Sequence, residues 1–195
     1  MTKIKSYSSL PEDYKLDFEV DMLKDEKVFL RINLGSFLLL IPFVLIGILF
    51  QFTFEFEMWS ALAIVPTMIA TVIVHEVIHG IFFKLGTKEK IRYKFHGFAA
   101  SASVKGVYFT KRHYLLVGLA PAVILNGLFI LLCIFVRGPL FFLLYINLAV
   151  HFGGCTGDFF IALKLRRFSE DTLIEDTGVG MKFYRKSTSS LSSLS

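Results

Sequence analysis

The chain has 195 residues, 21 Lys and Arg against 16 Asp and Glu, 54% hydrophobic and 19% charged residues, and a mean hydropathy of +0.63. Its 22 Phe are more apolar bulk than one small soluble core can hide, and so much apolar character excludes a disordered chain. Two Cys (Cys133 and Cys155) exclude a disulfide scaffold, and the net charge of +5 is read as membrane topology, with no nucleic-acid partner expected.

The first 32 residues form a charged N-terminal segment. Within it, residues 16–22 alternate apolar and acidic side chains at a period of two, the signature of a half-buried strand. A strip lying on lipid is the alternative, and its acidic residues count against it near an anionic leaflet. Residues 33–54 then run 22 positions without a charge. Residues 58–74 run 17, with apolar character continuing to Phe83; 114–136 run 23 and 138–157 run 20. A helix needs about 20 apolar residues to cross about 30 Å of hydrocarbon. The expected fold is therefore mainly α, a polytopic bundle of four transmembrane helices in a lipid bilayer. Pro42, Pro66 and Pro121 fall inside these runs, where membrane helices tolerate them.

Lys and Arg alternate between the connections: six before the first helix, none in 51–58, eight in 84–113, one at Arg137 and six from Lys164 onward. The positive-inside rule then places both termini and the 84–113 connection in the cytoplasm, N-in and C-in. Residues 93–109 are rich in small and β-forming side chains and too polar for a fifth span. A cytoplasmic hairpin or re-entrant loop is expected there, turning at Gly97 and Gly106. Asp176-Thr177-Gly178 reads as a turn before a short strand at 179–184, and 186–195 as a Ser-rich, disordered tail. The organisation is an N-terminal segment (1–32), one membrane domain (33–185) with a small cytoplasmic β element, and that tail.

One constellation carries chemistry: His75-Glu76-Val77-Ile78-His79, followed by Gly80. On a helix, positions i and i+4 share a face, so the two imidazoles can hold one metal ion, while Glu76 lies one step around, within reach of a water at that ion. This is the HExxH arrangement of zinc metallopeptidases. An acid within a span costs about 2.5–3.5 kcal/mol on insertion scales, so packing alone is a poor reason for it.

Tetrahedral Zn2+ with an open position needs a third protein ligand. At 1.5 Å per residue, His75 and His79 lie about 24 and 30 Å along the second helix and Asp158 about 27 Å along the fourth, with His151 about 10 Å shallower. Depth selects Asp158. Asn147 and His151 share a face with it and are candidates for supporting the ligands or a water path, or for interhelical hydrogen bonds. Cys155 reads as a small apolar filler and His96 as a loop residue.

Leu10-Pro11-Glu12-Asp13-Tyr14, the HEVIHG at 75–80, Leu119-Ala120-Pro121 and Gly157-Asp158 resemble a bacterial family of uncharacterised membrane proteins labelled zincin peptidases, over about residues 10–185. That family is distantly similar to the site-2 intramembrane metalloproteases. The resemblance implies His75, His79 and Asp158 as ligands, Glu76 as catalytic base, a membrane-protein or peptide substrate, and a bacterial cell membrane. The site-2 group typically shows Asn-Pro-x-x-Asp-Gly around its Asp, whereas Asp158 is followed by Phe159. The function expected is a zinc-dependent intramembrane endopeptidase. A non-catalytic metal-binding membrane protein, scaffold or transporter, is the alternative; it is disfavoured because the ionisable groups cluster at one depth instead of lining a path.

Overall fold

The computed structural model describes residues 5–50, 55, 57–95, 97 and 100–187. Four helical stretches are long and apolar enough to cross a membrane. They are α1 (Glu26–Leu49), α2 (Met58–Lys84), α3 (Lys111–Phe135), and α4 (Gly138–Gly154) taken together with α5 (Thr156–Leu165). The first helix starts earlier than its uncharged run. Asp25 explains this: its carboxylate accepts from the N–H groups of Lys27 and Val28, so the helix starts at Glu26, seven residues before the run that begins at 33. It ends at Leu49, short of the predicted residue 54; residues 51–54 lie outside the described set, as do His96 and 188–195.

The fourth predicted helix is broken once. Cys155, at φ −71° and ψ 3°, separates α4 from α5, and Thr156 turns its hydroxyl back onto the Gly153 carbonyl at 2.6 Å. The polar face that the sequence draws as continuous from Asn147 to Asp158 is therefore re-aimed at this point. Asn147 bonds to Thr67 Oγ1 and to its own helix at Leu143, away from the acid.

Around one end of the bundle lies an antiparallel five-stranded sheet. In chain order its strands are β1 (Ser6–Tyr7), β2 (Tyr14–Asp21), β5 (Tyr108–Thr110), β6 (Leu173–Asp176) and β7 (Gly180–Lys186), arranged β1-β5-β6-β7-β2. The predicted strands at 16–22 and 179–184 are β2 and β7, paired with each other and with a register shift between Leu16 and Phe18. A separate hairpin, β3 (Arg92–Phe95) and β4 (Ala100–Ser103), lies against α2. Strands drawn from the N-terminal segment, the 84–113 connection and the C-terminal segment thus share one sheet, so all three lie on one side of the bundle.

The core sits where sheet meets helices. Phe109, Ile174 and Phe183 from the sheet are wholly buried against Phe83 of α2, Val117 of α3 and Leu165 of α5. Each such side chain contributes about 1.5–3 kcal/mol when taken out of water. Lys111, at the start of α3, holds the chain beyond α5 through the Phe168 carbonyl at 2.8 Å and Glu170 at 3.0 Å. This clamp fixes the ends of α3 and α5 together, and with them the inner ends of the helices that carry the site.

Candidate metal centre

The apolar run that makes α2 a helix places His75 and His79 on one face a turn apart, with Nε2 atoms 3.0 Å from each other. Asp158 comes from the first turn of α5, just past the break at Cys155. Its carboxylate oxygens lie 3.3 Å from His75 Nε2 and 3.5 Å from His79 Nε2. The structure thus brings the three predicted ligands within 4.8 Å of one another.

The spacing can be tested against zinc. Bonds of about 2.0–2.2 Å at tetrahedral angles put ligand atoms about 3.3–3.6 Å apart. The observed 3.0, 3.3 and 3.5 Å match to within a few tenths of an ångström. Hydrogen bonding agrees. His79 Nδ1 lies 2.9 Å from the Val117 carbonyl, which can only accept, so Nδ1 carries the proton and the Nε2 lone pair faces Asp158. Lone pairs converging on a carboxylate at these distances repel unless a cation lies among them. The donor set fits Zn2+.

Glu76 is placed as the motif requires. It lines the same cavity, of about 320 Å³, as the two His and Asp158, and its Oε2 is buried without a hydrogen-bond partner. The Ala102 N–H of β4 supports the carboxylate. The hairpin can come this close because residue 80 is Gly: a Cβ there would run into the Tyr93 ring and hydroxyl. The cavity continues along Ala100 and Ser101 of β4 and under the β6–β7 turn at Gly178.

Four more residues surround this site, and of these the sequence marks His151 as a candidate for supporting the ligands. His151, about 10 Å from Asp158 by helix rise alone, stands one hydrogen bond from the ligands, its Nε2 3.0 Å from His75 Nδ1. Rise along a helix ignores how two crossing helices and two imidazoles reach toward each other. Asn126, the one Asn of α3, sits behind it. Asp176, read from sequence only as a turn residue, is in the cavity wall, accepting from Tyr114 Oη at 2.5 Å and from Gly178 N–H at 2.7 Å. Burial pushes its carboxyl up to about 6 despite those two donors. Cys155 is buried beside His151, its Sγ 3.8 Å from Nε2, so it touches the site's surroundings.

Comparison with known proteins gives one match. No curated protein and no solved structure matches the chain. A family described as "Putative zincin peptidase" matches residues 68–173, which takes in the part of α2 that carries the HExxH, the hairpin, α3, α4, α5 and Asp158. With more than half of its length matched, and with the metal-fitting cluster inside the matched part, the chain belongs to that zincin peptidase family.

Proposed function

We propose that this protein is a zinc-dependent intramembrane endopeptidase of the site-2 type, embedded N-in and C-in in a bacterial cell membrane, with His75, His79 and Asp158 as ligands and Glu76 as base. The observation that carries this reading is the pairing of a zinc-spaced donor set with a carboxylate, one residue from a ligand, whose Oε2 is buried without a hydrogen-bond partner. A scaffold or a transporter has no use for that carboxylate.

Zinc, when bound, polarises the scissile carbonyl and lowers the pKa of the attacking water to about 7. Glu76 Oε2, which faces no protein donor, accepts the proton of that water and delivers it to the leaving amine. Ala102 N–H fixes the other side of the Glu76 carboxylate, so the base is oriented before substrate arrives.

A membrane-spanning substrate hides its amides in helical hydrogen bonds and must unwind to be cut. β4 pairs with β3 on one side and borders the cavity on the other. An unwound segment can be held there as an added strand. The side of the bundle that bears the sheet is the cytoplasmic one in this reading, since its segments carry 20 of the 21 Lys and Arg.

The test is Glu76→Gln in protein reconstituted into vesicles with membrane-peptide substrates. Zinc content stays constant while the cleavage rate falls about 10²–10⁴-fold, the usual worth of a positioned base. A Gln variant that cuts at the normal rate overturns the mechanism, and loss of zinc with Glu76 makes that residue a ligand.

A further inference from the structure

Behind the metal-fitting cluster runs a chain of three side chains from three helices. His75 Nδ1 is 3.0 Å from His151 Nε2, and His151 Nδ1 is 2.8 Å from Asn126 Oδ1. His151 and Asn126 are buried. With the Asn126 amide oxygen toward His151, each link has one consistent direction. Asn126 Oδ1 can only accept, so His151 Nδ1 carries a proton. Neutral His151 then offers a lone pair at Nε2, and His75 Nδ1 must donate to it. That leaves the His75 Nε2 lone pair aimed at Asp158 and His79, where a metal ligand has to point. Reversing the amide of Asn126 reverses the whole chain and puts an N–H of His75 into the ligand position.

The geometry points to Asn126 and His151 as positioning residues that fix His75 in its ligating tautomer and orientation, an inference that rests on the metal reading above. His79 receives the same service from the Val117 carbonyl, a backbone group that sequence cannot alter. His75 depends on side chains, so its fitness as a ligand can be set by mutation. Outer hydrogen-bond partners of ligating His are typically worth 10–100-fold in metal affinity.

One other arrangement uses the same atoms. His75, His151 and Cys155 could themselves surround an ion. The relay is favoured because the cavity is lined by His75, Glu76, His79 and Asp158, while neither His151 nor Cys155 is among its lining residues.

The experiment measures zinc affinity of the full-length protein in detergent by competition with a chromophoric chelator, with the cobalt(II) spectrum of each variant alongside. His151→Phe and Asn126→Leu weaken zinc binding about 10–100-fold. Asn126→Asp and His151→Gln, which keep an acceptor oxygen at each link, stay near the wild type, a rescue that a merely packing role does not predict. Equal affinity in His151→Phe and wild type overturns the relay, as does an Asn126→Asp variant as weak as Asn126→Leu. A thiolate-to-cobalt charge-transfer band that vanishes in Cys155→Ala overturns it in favour of the Cys155 site. Wild-type protein that holds no zinc overturns relay and metal reading together. Zinc held tightly, weakened by these variants, with no peptide cut, sustains the relay and sinks only the peptidase.

Discussion

The first helix and the last stand at opposite ends of one scale. The most apolar window of α1 has a mean hydropathy of 2.4 and none of it is buried within the protein; that of α4 with α5 has a mean hydropathy of only 1.5 and half of it is buried. In a soluble domain the order would be reversed. In the proposed membrane setting the apolar side chain is already at home, so the residues drawn inward are those that lipid would not satisfy: Asn147, His151 and Asp158 on the α4–α5 side, and Asn126 facing them from α3. Burial in a span therefore follows the polar groups it carries and not its mean hydropathy, for α3, at 2.5, is a third buried and brings Asn126 to His151.

The comparison is broken most severely at Asp158. Asp158→Ala removes one of three donors from the cluster. Zinc affinity then falls at least ~100-fold, beyond the 10–100-fold expected for an outer partner such as His151. Competition titration of the two variants side by side checks this order. If His151→Ala loses more zinc than Asp158→Ala, the third donor lies on α4 and the contrast between its two halves is drawn in the wrong place.

A smaller effect sharpens the contact between the two regions. α1 reaches α4 at Gly153, where an added Cβ would sit 3.0 Å from the Ser36 carbonyl oxygen and 3.4 Å from Leu40. At the neighbouring Gly154 an added Cβ meets open space. Gly153→Val forces the helices apart and costs about 1–3 kcal/mol, the range of an overpacked contact. Gly154→Val makes the same change in helix propensity without the clash and so serves as its reference. Thermal unfolding in detergent reports the difference, and equal melting temperatures for the two variants would show that α1 is not held to α4 at this crossing.

How much of this was legible in the residues follows the same division. Uncharged length shows four spans, because hydrocarbon thickness is a one-dimensional constraint, and the HExxH shows two ligating atoms, because i and i+4 share a helix face. The strand at β2 is legible from its period of two. What pairs with it is not: β2 lies beside β7, from the far end of the chain, and β5 comes from the middle. The start of α1 at Glu26 hangs on one capping carboxylate within a charged stretch that reads as outside the membrane. At the site, Asp158 is legible as an acid at the right depth. His151 is legible as a support for the ligands, but its bond to His75 is not, because rise per residue says nothing of how crossing helices lean toward each other. Asn126 carried one usable signal, a lone amide within 23 uncharged residues, but its partner is defined only by the packing of α3 on α4. Asp176 carried none, since it enters the cavity wall from a β turn.

The smallest effect is the most direct check on the contrast between α1 and α4. Leu38 on α1 is 54% exposed, and Leu148 on α4 is 5% exposed. Cutting either to Ala deletes the same atoms. At Leu148 those atoms are buried in protein, and their loss leaves a space that the neighbours can fill only in part. Lipid is as apolar as Leu, so little transfer energy is at stake and the cost is mostly the cavity. Leu148→Ala should therefore fall near the low end of the buried-leucine range, at about 2 kcal/mol. At Leu38 an acyl chain occupies the space as soon as it opens, and the helix gains slightly from Ala's higher propensity. Leu38→Ala should stay within about 0.5 kcal/mol of the wild type in denaturant titrations of bilayer-reconstituted protein. A Leu38 variant that loses as much stability as the Leu148 variant would mean that α1 is covered by protein instead of lipid, and the exposed face of the first helix would have to be read as a contact between chains.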